Sequence, residues 1–133
     1  MKVFLDTNVI ASAFATRGLC SDVLREVFAS HDLYTSIEVL KELRSVLKNK
    51  FGVPENLIKK ILSLLQREAN MACSQDQVDI QIKDKTDIPI LNAALAAGTR
   101  VFVTGDKELQ DFAKIGNLEI VSPRKFWEIL KTQ

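Results

Sequence analysis

Four acids in this 133-residue sequence stand where secondary structure should begin or end, and their placing is what could do chemistry. Asp6 follows the apolar run Val3-Phe4-Leu5, and Asp106 follows Val101-Phe102-Val103 and the pair Thr104-Gly105. Asp87 precedes a helical pattern, and Glu42 sits at the border of an apolar helix stripe. Carboxylates crowded into one place repel each other unless a cation neutralises them. An all-oxygen donor set suits Mg²⁺ or Mn²⁺ rather than zinc. A cation so held can orient a phosphodiester and generate a hydroxide nucleophile, and a pair can clamp attacking and leaving oxygens. Competing chemistries have little to draw on. The single histidine, His31, and the two distant cysteines, Cys20 and Cys73, supply no obvious triad, disulfide framework or zinc site. No glycine-rich phosphate loop of the P-loop or dinucleotide type occurs.

The elements that must position these acids follow from pattern. Val3-Phe4-Leu5 and Val101-Phe102-Val103 are apolar on successive positions, as in parallel strands covered on both faces. A lone buried carboxylate is costly, so Asp6 belongs at a strand's carboxyl end, where open α/β sheets bind ligands. If the two strands are neighbours, Asp6 and Asp106 meet there. Val9 to Phe14 is helix-like, and Ser21 reads as the N-cap of a second helix. Leu33-Tyr34-Thr35 is a short strand candidate. Ser36 caps a helix to about Lys50, whose stripe Val39, Leu40, Leu43, Val46 and Leu47 has Glu42 at its edge and Glu38 further away. After Gly52 and Pro54 comes an apolar helix from Leu57 to Leu65. Two strand readings compete between Asn70 and Ile82: Met71-Ala72-Cys73, or the alternation Val78, Ile80, Ile82. Pro89 fits only a first turn, so the next helix begins near Thr86 or Asp87 and ends at Gly98. A helix with Leu109 and Phe112 inward then stops at Gly116-Asn117. Leu118 to Val121 is a last strand, and Ser122-Pro123 opens a final helix containing Phe126, Trp127, Ile129 and Leu130. Strands alternating with helices over short connections predict a three-layer α/β/α sandwich with a parallel sheet, one domain over residues 1–133.

Composition narrows the class. The chain is 47% hydrophobic and 26% charged, as in soluble globular proteins, with a formal net charge of +1 that gives no global basic field. No apolar stretch approaches the roughly 20 residues that span a bilayer, and no signal peptide is recognisable. A cytoplasmic location is expected.

In order and spacing, Phe4-Leu5-Asp6-Thr7-Asn8, the segment Ser36 to Leu47 around Glu42, Asp84-Lys85-Thr86-Asp87, and Val103-Thr104-Gly105-Asp106-Lys107-Glu108-Leu109 resemble the PIN-domain family. This is the nuclease domain of VapC-like toxins in toxin–antitoxin pairs, and the likeness covers essentially the whole chain. The resemblance implies that Asp6, Glu42, Asp87 and Asp106 bind Mg²⁺ or Mn²⁺, with Asn8 and Thr104 supporting them by hydrogen bonding. It implies an endoribonuclease that cleaves RNA by water attack on a phosphodiester, a protein antitoxin as partner and, as is frequent among such toxins, a homodimer. One departure is Ile88-Pro89 after Asp87, where the subgroup pattern more often has Asp-Asn and an uninterrupted helix. Arg17, Lys41, Arg44 and Lys107, near the acids in sequence, are the candidate RNA contacts.

Blander readings stand beside these. Asp6, Asp87 and Asp106 could each merely cap a helix. Glu42 could be a solvated neighbour of Lys41. Asp84 and Asp111 read as surface charges, with an outer shell of the site as the alternative for either, and His31 as a helix-end residue. Two other functions are consistent with acids after a first strand. One is a metal-free scaffold binding RNA or protein. The other is an aspartyl-phosphate phosphatase, against which Asn8 stands where a second Asp is wanted.

Overall fold

The structure, a computed structural model, describes residues 1–73 and 81–132. The chain runs β1 (Lys2–Leu5), α1 (Thr7–Ala15), α2 (Leu19–Ser30), β2 (Asp32–Ser36), α3 (Ile37–Asn49), α4 (Glu55–Glu68) and β3 (Asn70–Ala72). It continues with α5 (Asp87–Ala96), β4 (Val101–Val103), α6 (Lys107–Asp111), β5 (Lys114–Ile115), β6 (Leu118–Val121) and α7 (Pro123–Lys131). Among the described residues the strands form one six-stranded sheet in the order β3-β2-β1-β4-β6-β5, parallel except for β5.

Val3, Phe4 and Leu5 are all fully buried, as are Val101, Phe102 and Val103 to within 1%. That is why their sequence is apolar without alternation: helices cover both faces of the sheet, making a three-layer α/β/α sandwich. β1 and β4 pair in register, Phe4 opposite Phe102. The two rings stack with centroids 5.5 Å apart, and each fully buried ring is worth roughly 1.5–3 kcal/mol of transfer free energy. The strand pair that must hold Asp6 and Asp106 level is therefore fastened at the centre of the core. Around it α1 packs on α2 and α3, α4 on α3, and α7 on α2.

Several elements depart from the sequence reading. α2 starts at Leu19 with Gly18 as its N-cap, so Ser21 lies inside the helix. Gly18 sits at φ 151°, a conformation side chains rarely adopt, and the helix begins as soon as that turn is complete. α6 ends at Asp111, which leaves Phe112 as its C-cap and 38% exposed rather than inward. Ala113 then takes a positive φ of 58°, and Lys114–Ile115 turns back as an antiparallel edge strand on β6. Helix α5 begins at Asp87 as the sequence predicts, with Pro89 third, in the first turn where its missing N–H costs nothing. Met71-Ala72 lies in β3, which pairs with β2. Of the competing alternation, Val78 and Ile80 lie outside the described residues, and Ile82 is buried.

Candidate metal centre

β1 has β2 on one side and β4 on the other, and the chain winds outward from this pair in both directions. Such a switch point opens a crevice at the carboxyl ends of the strands. Asp6 leaves β1 there and caps α1. Its Oδ1 accepts from the Thr7 backbone N–H at 2.8 Å, and its Oδ2 accepts from the Thr104 hydroxyl at 2.7 Å. Only 6% of Asp6 is exposed.

Thr104, fully buried just past β4, ties the site together. Its hydroxyl donates to Asp6 and accepts from the Asp106 backbone N–H at 3.1 Å. Its own N–H donates to the Val121 carbonyl at 3.0 Å, and its carbonyl accepts from Gln110 Nε2 at 2.7 Å. Every polar group of this one residue thus orients an acid or binds a neighbouring element. Asp106 caps α6, its Oδ1 accepting from the Glu108 N–H at 2.9 Å. Asp87 comes from the opposite wall, where Asp84 Oδ1 gathers the Thr86 N–H at 3.0 Å and the Thr86 hydroxyl at 2.6 Å. The Lys83 N–H donates to Glu108 Oε1 at 3.0 Å, fastening that segment to α6. Glu42, half-buried on α3, lies beside the buried Thr7 hydroxyl, which has no hydrogen bond of ordinary geometry among the described residues.

These acids feel one another. Asp87 is pushed from an ordinary 3.8 up to about 7, first by burial, then by Asp6, Asp84, Glu42 and Asp106. Glu42 is raised by burial, relieved partly by the Thr7 hydroxyl, and raised again by Asp6 and Asp84. Burial raises Asp6 too, against the opposing hydrogen bonds from Thr104 and Thr7. Asp84 moves the other way, because the Thr86 hydroxyl and N–H stabilise its charge.

The five carboxylates of Asp6, Glu42, Asp84, Asp87 and Asp106 line a single cleft of about 360 Å³. Asn8, Gly105 and Lys50 complete its lining. No three acidic, histidine or cysteine side chains among the described residues are close enough to form a finished coordination shell. The donors nonetheless fit a hard divalent cation: all are oxygens, and their mutual repulsion is what a 2+ charge relieves. Closing on an ion asks for rotation of side chains between staggered wells.

The acids nominated from sequence therefore share one cleft, and they cap helices as well; the two readings coexist. Thr104 contacts Asp6 directly, while Asn8 lines the cleft and is exposed. Asp84, read as a surface charge, is exposed but faces the same cleft. The cations fare differently. Arg44 is ion-paired with Glu55, and Arg17, Lys41 and Lys107 are exposed without lining the cleft. Lys50 does line it and was passed over, although it lies little more than two turns beyond Glu42. Gln110 was passed over as well, because nothing in the sequence ties its amide to the Thr104 carbonyl.

Known proteins share this fold. A family model described as the PIN domain matches residues 2–108. A chain of VapBC2 from Rickettsia felis, solved bound to a DNA fragment from its promoter, is 18% identical, with 92% of this chain and 98% of that chain covered and a TM-score of 0.62. VapBC-1 from nontypeable Haemophilus influenzae is similar at 19% identity, with 93% and 99% covered and a TM-score of 0.64. The RRP44 PIN domain of T. brucei is 17% identical, with 98% and 80% covered and a TM-score of 0.52. No curated protein sequence matches the chain. With the model spanning well over half its residues, the chain belongs to the PIN-domain family.

Proposed function

We propose that the chain is a divalent-cation-dependent endoribonuclease that hydrolyses RNA phosphodiester bonds, and the toxin half of a toxin–antitoxin pair. The observation that carries this reading is the gathering of five carboxylates in one cleft at the sheet's switch point, with Asp87 raised to about 7. Asp6, Glu42, Asp87 and Asp106 would hold Mg²⁺ or Mn²⁺. When bound, the cation supplies Lewis acidity toward a phosphoryl oxygen and a hydroxide nucleophile at neutral pH. The chain's own groups do the positioning. Thr104 fixes Asp6 and the Asp106 backbone relative to each other, and the Thr7 N–H holds the other oxygen of Asp6. Binding a cation would require Asp87 ionised, so the site would fill more readily as pH rises.

The phosphatase alternative is disfavoured by Asp6 itself. Its carboxylate is buried and accepts a hydrogen bond at each oxygen, which suits an oriented ligand better than an attacking nucleophile. The antitoxin reading draws support from the likeness to two VapBC structures. Among the described residues no helix is long and apolar enough to cross a membrane.

The test is cleavage of a labelled single-stranded RNA by the parent and by Asp6→Asn, with Mn²⁺, with Mg²⁺ and with chelator. The parent should cut only with the cation, and Asp6→Asn should lose at least about a hundredfold in rate. Equal cutting by parent and variant would assign the activity to a contaminant. RNA that binds but is never cut would favour the scaffold.

A further inference from the structure

A cleft built from five carboxylates has a difficulty with its own substrate, because RNA brings phosphates into a field of like charge. A cation bound by the acids offsets part of that field, yet the phosphate groups flanking the cut still need a partner. Among the described residues a single basic side chain lines the cleft, that of Lys50.

Its position differs from that of every other basic residue near the acids. Lys50 is the C-cap of α3, its N–H bonded to the Val46 carbonyl, so the end of a well-packed helix carries it. Neighbouring charges on α3 are engaged elsewhere: Arg44 pairs with Glu55, and Lys48 also lies in the field of Glu55. Lys50 forms no ion pair among the described residues, even with the acids across the cleft. Its ammonium stands 5.6 Å from the centre of the half-buried Phe51 ring. An ammonium within about 6 Å of a ring face is attracted to it, which favours a subset of the side chain's rotamers without neutralising its charge. Lys50 is thus placed at the acidic cleft with its charge still available.

Resting on the nuclease reading, we propose that Lys50 is a substrate-binding residue whose ammonium takes a phosphate of the RNA backbone as the strand enters the cleft. Lysine binds phosphate as a point charge, so this contact sets position and on-rate rather than base preference. It also gives α3 a double duty, with Glu42 facing the cation and Lys50 facing the strand.

The measurement is kcat/KM for RNA cleavage as a function of salt, for the parent, Lys50→Gln, Lys50→Arg and the control Lys48→Gln. Losing one phosphate contact should lower kcat/KM about tenfold, mostly through KM. It should also flatten the slope of log kcat/KM against log salt by about 0.7 for a single strand. Lys50→Arg should restore both, and Lys48→Gln should leave both at parent values. A Lys50→Gln protein with the parent's kcat/KM and slope would overturn the assignment, as would a loss of activity with the slope intact, which marks a structural role. If the parent itself cuts no RNA with any cation, the nuclease reading falls first and this proposal with it. Melting curves of the variants confirm folding, Lys50 being exposed.

Discussion

Asp87 is the residue at which the crowding of the cleft can be weighed. Its carboxyl is raised from 3.8 to about 7, so the folded chain binds that proton more tightly than the unfolded chain does. The resulting stabilisation is complete below about pH 3.8 and is lost as pH climbs through 7. Above that, an ionised Asp87 opposes folding of the cation-free protein. Asp87→Asn removes the ionisation, so in chelator the variant should melt with the parent near pH 4 and above it near pH 8. Half-exposure screens the repulsion to on the order of 1 kcal/mol, or roughly 3 °C in Tm. Losing the attraction of a carboxylate to the N-terminus of α5 trims this somewhat. Melting temperatures that stay parallel from pH 4 to 8 would mean that the acids do not repel one another as the geometry requires. At this scale Asp6 and Asp106 stood out because an acid just past a buried run is either a helix cap or a ligand, whereas Glu42 and Thr104 were singled out only by the resemblance to the PIN-domain family. The sequence did not announce Lys50 or Gln110. Their roles depend on where a helix end and an amide fall in space, and neither residue interrupts a pattern.

Among the elements, α3 reaches the cleft twice, with Glu42 along it and Lys50 at its end. What starts α3 is Ser36, fully buried at the close of β2, whose hydroxyl accepts from the Val39 N–H at 3.3 Å. Ser36→Ala leaves a buried N–H unpaired and should cost about 1 kcal/mol. That corresponds to a Tm lower by about 3 °C and a lower urea midpoint at unchanged m. Unchanged stability would mean that packing alone fixes where α3 begins. Ser36 and the pair Ser122-Pro123 were legible because a cap followed by an apolar stripe is two agreeing signals. The start of α2 was not, since the decisive feature is the φ of 151° at Gly18 and no letter records an angle. Edge strand β5 has two residues and no period to detect, and without it Phe112 had looked like the inward face of a longer helix.

Over the whole molecule, the property the sequence left conditional is the strand order. Two apolar triplets nearly a hundred residues apart bring Asp6 and Asp106 together only because β1 and β4 are neighbours at the switch point. That adjacency makes the fold and the site parts of one equilibrium: folding forces the carboxylates together, and a cation that relieves them must favour the folded state. At a concentration of Mn²⁺ a hundredfold above its dissociation constant, the gain is about 2.7 kcal/mol. For a chain of this length that is roughly 8 °C in Tm. Because Asp87 must shed its proton first, the rise should be larger at pH 8 than at pH 6. Asp6→Asn and Asp106→Asn should each remove most of it, although their residues come from opposite ends of the sequence. A shift abolished by one substitution and untouched by the other would place the ion on one wall of the cleft. A complete lack of shift in the parent at any pH would show that the cleft relieves its repulsion without a cation.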